Sequence, residues 1–78
     1  GMLPRFAMSL EGRRLGVVAD AHGTKVVRIF DLQGNEVVHS GFVGNEAAVD
    51  LSMLRRGSFV VTVTADRKPL GNRKLQLK

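Results

Sequence analysis

The sequence contains no Cys, no Trp and no Tyr, and each absence excludes a class of protein. Without Cys, the 78-residue chain has neither a disulfide framework nor a cysteine-ligated zinc site, so packing alone must hold its fold. Only four aromatic residues, all Phe, leave little surface on which bases or sugars could stack. A chain of this length closes one small core and has no room for a second domain or a deep catalytic cleft.

Long apolar runs are also missing. No stretch of about 18 apolar residues is available to span a membrane. Gly1-Met2-Leu3-Pro4 lacks the apolar run of a signal peptide, and a Gly before Met is typical of a cloning scar. We therefore interpret residues 1–4 as a scar or linker remnant and residues 5–78 as a single domain. That domain is expected to be a piece of a longer precursor, with any export signal on the part not shown.

Glycines recur at intervals of roughly 8–12 residues, which is the turn spacing of an all-β sandwich or barrel. The segments between them alternate apolar and polar residues with the period of a half-buried strand. We predict an immunoglobulin-like antiparallel β-sandwich of about seven short strands, with a small barrel as the competing fold. The predicted inward positions are Phe6, Met8, Leu10, Leu15, Val17, Ala19, Ala47, Val49, Leu51, Phe59, Val61, Val63, Ala65, Leu75 and Leu77.

Turn-forming residues predict the connections. Gly34 tolerates a positive φ and Asp31 can hydrogen-bond nearby backbone, so residues 31–36 are expected to close a hairpin whose first strand is central. Asp50 or Ser52 is expected to cap a single turn before the next strand. The remaining expectations are a looser link over residues 41–44, Leu54 in the core, a turn over residues 66–69 and a final strand that reaches Lys78.

Titratable groups are too few and too scattered to predict catalysis. His22 is expected in a solvated loop and His39 on an outer strand face, with no spacing that suggests a shared metal. Asp31 and Asp50 are expected to bond turn backbone rather than to form a paired-carboxylate site. No phosphate-binding loop, serine-hydrolase, zinc-protease or calcium-loop pattern occurs. We predict that the chain is not an enzyme and uses neither a cofactor nor a metal.

The formal net charge of +5 makes an anionic partner worth considering. Most of the basic residues form four doublets, Arg13-Arg14, Arg55-Arg56, Arg67-Lys68 and Arg73-Lys74. Neighbours in a strand point to opposite faces, so we interpret the doublets as solvated turns and protected strand edges. Nucleic acid is disfavoured, because the four Phe are expected at inward or loop positions. The phosphates of anionic lipid or lipopolysaccharide remain open, since charge alone is sufficient to bind them.

Two blocks and the chain terminus resemble one known family. Residues 27–38, VRIFDLQGNEVV, resemble the "v-x-i-[YF]-D-x-x-G-x-x-v" hairpin of the C-terminal sorting domain of the bacterial type IX (Por) secretion system. Residues 49–63, VDLSMLRRGSFVVTV, look like that family's "i-D-l-S-x-L-x-x-G-x-Y-x-v-x-v", and residues 73–78 are similar to its terminal "x-K-x-x-v-x" strand. Phe30 and Phe59 stand where Tyr is common in the family, which keeps the packing and loses a phenol hydrogen bond.

The resemblance implies a set of recognition residues that the motifs share. They are Asp31 and Gly34 in the hairpin, Asp50, Leu51, Leu54 and Gly57 in the turn that follows, Phe59, and Lys74, Leu75, Leu77 and Lys78 in the terminal strand. Gly34 and Gly57 are expected to serve backbone conformation, and Leu51, Leu54 and Phe59 to pack in the core. The terminal segment is the candidate for direct contact with a translocon.

The resemblance also implies a function. Such a domain is a non-enzymatic secretion signal at the C-terminus of a larger secreted protein. Its partners are the covalently linked N-terminal cargo, the outer-membrane translocon, a sortase-like peptidase and, at the surface, anionic lipopolysaccharide. The expected location is the periplasm in transit, then the outer-membrane surface or the medium. The alternative is an immunoglobulin-like accessory module of a secreted enzyme, acting as a spacer or binding carbohydrate.

Overall fold

The computed structural model describes residues 5–78, and that part of the chain contains seven strands and no helix. The strands are β1 (Arg5–Glu11), β2 (Arg14–Asp20), β3 (Lys25–Asp31), β4 (Glu36–Phe42), β5 (Glu46–Asp50), β6 (Gly57–Ala65) and β7 (Lys68–Leu77). Residues 1–4, which the sequence analysis interprets as a scar or linker remnant, lie outside the described residues.

The strands form two antiparallel sheets, as predicted. One sheet has the order β1-β2-β5 and the other the order β4-β3-β6-β7. In a constant-type immunoglobulin domain the fourth strand lies beside the fifth, whereas here β4 pairs with β3. Strand β3 is therefore central, as expected, and the edges of the larger sheet are β4 and β7.

The core lies between the two sheets and is built mostly from the alternating positions that the sequence predicts. The prediction is wrong for Leu10, near the end of the edge strand β1, which is 37% exposed. Its buried apolar residues are Leu15, Val17, Ala19, Val27, Ile29, Val49, Leu51, Phe59, Val61, Val63, Ala65, Leu75 and Leu77. Phe6 and Met8 of β1 are partly buried and pack against this core. Strand alternation thus gives each sheet one apolar face, and the two faces cover each other.

Phe30 is an exception to the predicted placement of the aromatic residues. It is half-buried and lies on the outer face of the larger sheet, opposite Val60 of β6. The reason is the register of β3, in which Val27 and Ile29 fill the inner face and leave the even positions outside. The expectation that all four Phe lie inward or in loops is wrong at this residue.

Two connections are shorter than expected, because the flanking strands are longer. Strand β4 continues through Phe42, which packs against the core, so part of the predicted 41–44 link is strand. The β6–β7 turn consists of Asp66 and Arg67, with φ angles of 48° and 70°, as in a two-residue type I′ hairpin. Pro69 consequently lies within β7 rather than in the turn.

Lys25 is a buried cation that the sequence analysis did not single out. Its side chain follows the inward parity of Val27 and Ile29, and the residue is 2% exposed. The Nζ atom donates a hydrogen bond to the carbonyl oxygen of Gly44 at 2.5 Å. The aliphatic stem packs with the core while the ammonium ties β3 to the β4–β5 connection.

Substitutions of the adjacent residues Val60 and Val61 test which face of β6 packs in the core. Val61 is fully buried and Val60 lies on the outer face. We expect Val61→Ala to lower the free energy of unfolding by about 2 kcal/mol, because it leaves a cavity in the core. The matched control Val60→Ala should cost well under that. Equal losses in urea unfolding of the two variants would contradict the assignment.

Candidate functional site

The predicted recognition residues converge at one end of the sandwich. The β1–β2 turn, the β3–β4 turn, the β5–β6 connection and the end of β7 all lie there, because successive strands alternate in direction. We call this the motif end and define it as Arg13 together with the predicted recognition residues, which are Asp31, Gly34, Asp50, Leu51, Leu54, Gly57, Phe59, Lys74, Leu75, Leu77 and Lys78. In the larger sheet, Asp31 lies opposite Phe59, and Phe59 lies opposite Leu75, so all three motif blocks meet in one row.

The β3–β4 turn is held by the Asp31 carboxylate. Oδ1 accepts hydrogen bonds from the backbone N–H groups of Gln33 and Asn35, both at 2.9 Å, and Oδ2 accepts one from Asn35 Nδ2 at 3.1 Å. Gly34 has a φ of 91° and donates its N–H to the Asp31 carbonyl at 3.1 Å. The D-x-x-G spacing therefore supplies an acceptor and a left-handed residue that close the turn.

The β5–β6 connection uses the same chemistry. The Asp50 carboxylate accepts the Ser52 N–H at 2.9 Å, so Asp50 is the capping residue of the two that the sequence allowed. Leu54 donates its N–H to the Leu51 carbonyl at 3.0 Å, and the turn directs both side chains toward the core. Gly57 then begins β6 with a φ of 143°, a conformation that residues with a side chain rarely adopt.

Arg13 joins the parts of the motif end, and the sequence analysis missed this role. Its Nη1 donates to the carbonyl oxygen of Leu54 at 2.5 Å, and its Nη2 donates to that of Lys78 at 3.2 Å. Its own carbonyl accepts the Leu51 N–H at 2.7 Å. The interpretation of the Arg13-Arg14 doublet as solvated is therefore wrong for Arg13 and holds for the exposed Arg14. No sequence pattern distinguishes the two.

The terminal strand divides its residues between the core and solvent. Leu75 and Leu77 are 7% and 1% exposed and complete the core beside Phe59. Lys74 and Lys78 are exposed. A partner can reach these two cations without disturbing a turn or the core, whereas the exposed carboxylate of Asp50 is engaged in its own turn.

Titratable groups that might act together stay apart. His39 lies on β4, with Nδ1 at 3.4 Å from Glu36 Oε1, while His22 lies in the β2–β3 turn at the opposite end. Residues 5–78 hold no group of three or more His, Cys, Asp or Glu side chains placed to bind a metal ion. Residues 5–78 also contain no helix that is long and apolar enough to cross a membrane.

Hydrogen bonds to the two turn carboxylates favour their charged forms. The backbone N–H of Asn35, followed by its side-chain amide, lowers the pKa of Asp31 below 3.8. The backbone N–H of Ser52 does the same for the pKa of Asp50. Both carboxylates are thus ionised at neutral pH and engaged within their own turns.

Comparison with known proteins adds no relative. No model of a protein family matches the chain, and no significantly similar sequence is found among curated proteins. The resemblance to the sorting-domain family therefore rests on the motif residues of the sequence alone.

We expect Arg13→Ala to lower the free energy of unfolding by about 1–3 kcal/mol, since it leaves two carbonyl oxygens of the motif end without their charged donor. The matched control is Arg14→Ala, which should stay within about 0.5 kcal/mol of the wild type. Chemical denaturation measures both. A loss in the Arg14 variant as large as that in the Arg13 variant would contradict the bridging role.

The lowered pKa of the Asp31 carboxylate predicts how the stability of the fold depends on pH. The folded pKa of Asp31 lies below that of the unfolded chain, so its stabilising contribution is fully present above about pH 3.9 and is lost as pH falls through the folded pKa. Asp31→Asn should abolish this part of the acid destabilisation. Carbon-13 NMR titration of the carboxyl group should give a midpoint below that of an Asp side chain in an unstructured peptide, and a midpoint at or above the peptide value would refute the assignment.

Proposed function

We propose that this chain is a C-terminal sorting domain of the type IX secretion system, a non-enzymatic signal that directs a larger cargo protein across the outer membrane. One observation carries the proposal. The two motif blocks and the terminal strand, which are separated in the sequence, meet in one row of the larger sheet at the motif end. This shared position supports the proposal that the separate motifs together build one end of the fold, from which the terminal strand is presented.

The contacts divide most of the motif residues into two structural roles, turn formation and core packing. Asp31, Gly34, Asp50 and Gly57 form the turns, and the apolar members Leu51, Leu54, Phe59, Leu75 and Leu77 pack in or against the core. Lys74 in β7 and Lys78 directly after it are exposed to solvent. The domain would thus act as a folded scaffold that offers its last strand to the translocon. A sortase-like peptidase and anionic lipopolysaccharide would act later, at the cell surface.

The alternative of an accessory module has one observation in its favour. Phe30 lies half-buried on the outer face of the larger sheet, where an aromatic ring can meet a sugar. Its sheet neighbours there include Arg28 and Val60 and no second aromatic residue. A single Phe supports a weaker site than the converging motifs do, so the sorting function is the better supported of the two.

Fusion of the chain behind a periplasmic reporter tests the sorting function. In a bacterium with a type IX system we expect the reporter at the cell surface or in the medium, and in the same strain without the translocon we expect it in the periplasm. Proteolysis of the periplasmic fraction shows whether the fused domain is folded. Retention of a reporter whose domain is folded, in the complete host, would refute the proposal. Secretion of an uncleaved fusion that binds polysaccharide would favour the accessory module.

Substituting the two exposed terminal cations distinguishes an effect on recognition from an effect on folding. Deleting the last strand would also remove Leu75 and Leu77 from the core, whereas Lys74→Ala with Lys78→Ala leaves both in place. We expect this double variant to reduce reporter export several-fold and to unfold at the wild-type denaturant concentration. Arg55→Ala with Arg56→Ala, another exposed pair, is the matched control. Equal export from both double variants would exclude the terminal cations from recognition.

A further inference from the structure

The whole net charge of the protein lies on its last strand and the turn before it. Residues 1–66 contain seven Lys and Arg and seven Asp and Glu, so they are formally neutral. Residues 67–78 contain five Lys and Arg and no acidic residue. These five are Arg67, Lys68, Arg73, Lys74 and Lys78. We call this segment, residues 67–78, the basic strip; its cations lie at positions 67–68, 73–74 and 78.

The cations of this strip are not neutralised by the rest of the fold. In residues 5–78, the ion pairs within 4.0 Å are those of Arg28 and His39 with Glu36, on β3 and β4. Strand β6, the neighbour of β7, has no charged residue over Gly57–Ala65. The basic strip thus projects its field into solvent beside an uncharged strand.

The cations of β7 occupy both sides of the sheet edge. Arg73 lies opposite the inward-facing Val61, and its guanidinium carbon is 5.4 Å from the centroid of the Phe6 ring. Lys74 lies opposite Val60 and therefore belongs to the outer face. Between β1 and β7 a cavity of about 190 Å³ opens, lined in part by Met8, Leu10 and Leu75. The edge consequently offers Lys74 on the outside and, on the inside, a groove whose apolar lining lies beside the cation of Arg73.

The backbone of β7 is available for pairing along part of its length. β7 is an edge strand, so its outer main-chain groups have no neighbouring strand in the described sheets. Pro69 has no N–H, and the register shift beside Val63 and Thr64 leaves Leu70 without a partner position on β6. The regular edge is therefore residues 71–77.

We propose that the edge of β7 over residues 71–77 binds an extended acidic segment of a partner protein by strand addition. In the added strand, acidic side chains would alternate with apolar ones, so that the acids face Lys74 and the apolar residues enter the groove beside Leu75. The chemistry of the partner follows from charge and edge geometry. Its identity as a secretion component rests on the proposed function.

The same charges argue against a second copy as the occupant. Pairing two β7 edges would place Lys and Arg of one chain opposite Lys and Arg of the other, and like charges across strands are destabilising. Edge cations of this kind are a common protection against self-association. An acidic strand reverses the sign of that interaction, so a single feature repels copies and attracts the partner.

The test uses the whole chain and a blocked peptide of alternating Glu and Val. We expect saturable binding by isothermal titration calorimetry, weakening as salt shortens the electrostatic range. The analogous peptide of Lys and Val should not bind. An acidic peptide N-methylated at every residue keeps its charge and has no N–H group left to pair along the edge, so it should bind at least about 10-fold more weakly. Equal binding of the N-methylated peptide would overturn strand addition.

A second experiment measures peptide binding after charge reversal at the β7 edge. Arg73→Glu with Lys74→Glu should weaken peptide binding by at least about 10-fold, while the matched control Arg55→Glu with Arg56→Glu should stay within about 2-fold. Circular dichroism confirms that each variant is folded. Should the edge variant unfold, the N-methylated peptide on the wild type decides the matter alone. Equal weakening by the two double variants, or inorganic polyphosphate competing as well as the acidic peptide does, would overturn the proposal.

Failure of this inference is distinguishable from failure of the proposed function. A chain that exports the reporter and ignores the acidic peptide is a sorting domain whose partner has other chemistry. A chain that binds the peptide and leaves the reporter in the periplasm has the edge site and a different function.

Discussion

Mutual burial of two alternating apolar faces is the constraint on which this structure depends. The chain has no disulfide, so the free energy that orders its seven strands must come from side chains such as Val17, Ile29 and Val61, which are almost completely removed from water. A strand has only two faces, and one of each is taken by the core. Every residue available for recognition is therefore confined to an outer face, an edge or a turn.

That confinement explains how the motif end combines stability with presentation. Asp31 and Asp50 satisfy turn backbone with their carboxylates, and Arg13 satisfies carbonyl oxygens of the β5–β6 connection and of Lys78. These contacts fix the position of the terminal strand at its far end. These polar side chains are engaged within the fold, whereas the exposed cations of β7 are free to meet a partner. A rigid base with a charged edge is suited to binding an extended partner, since little ordering of the domain is needed on association.

The sequence predicted the fold well where the physics is local. Period-two alternation identified the inner faces of β2, β5 and β6, and the Asp and Gly of the two turns act as their spacing indicated. Long-range contacts were not predictable in this way. Arg13 and Arg14 are equivalent in the sequence, and only the approach of Leu54 and Lys78 in three dimensions distinguishes Arg13, which becomes partly buried. Phe30 was misplaced because its chemistry favours burial while the register of β3 assigns it to the outer face.

The concentration of positive charge on β7 could also be interpreted only once the fold was known. In the sequence, the basic doublets look equivalent. In the structure, Arg55 and Arg56 sit in a connection close to the Asp31 turn, whereas Arg73 and Lys74 lie on an edge strand beside the uncharged β6. A field of one sign along an unpaired backbone edge selects for partners by charge and by conformation at once, because only an extended acidic segment can satisfy both. Edge protection and partner recognition are thus two consequences of the same placement of charge.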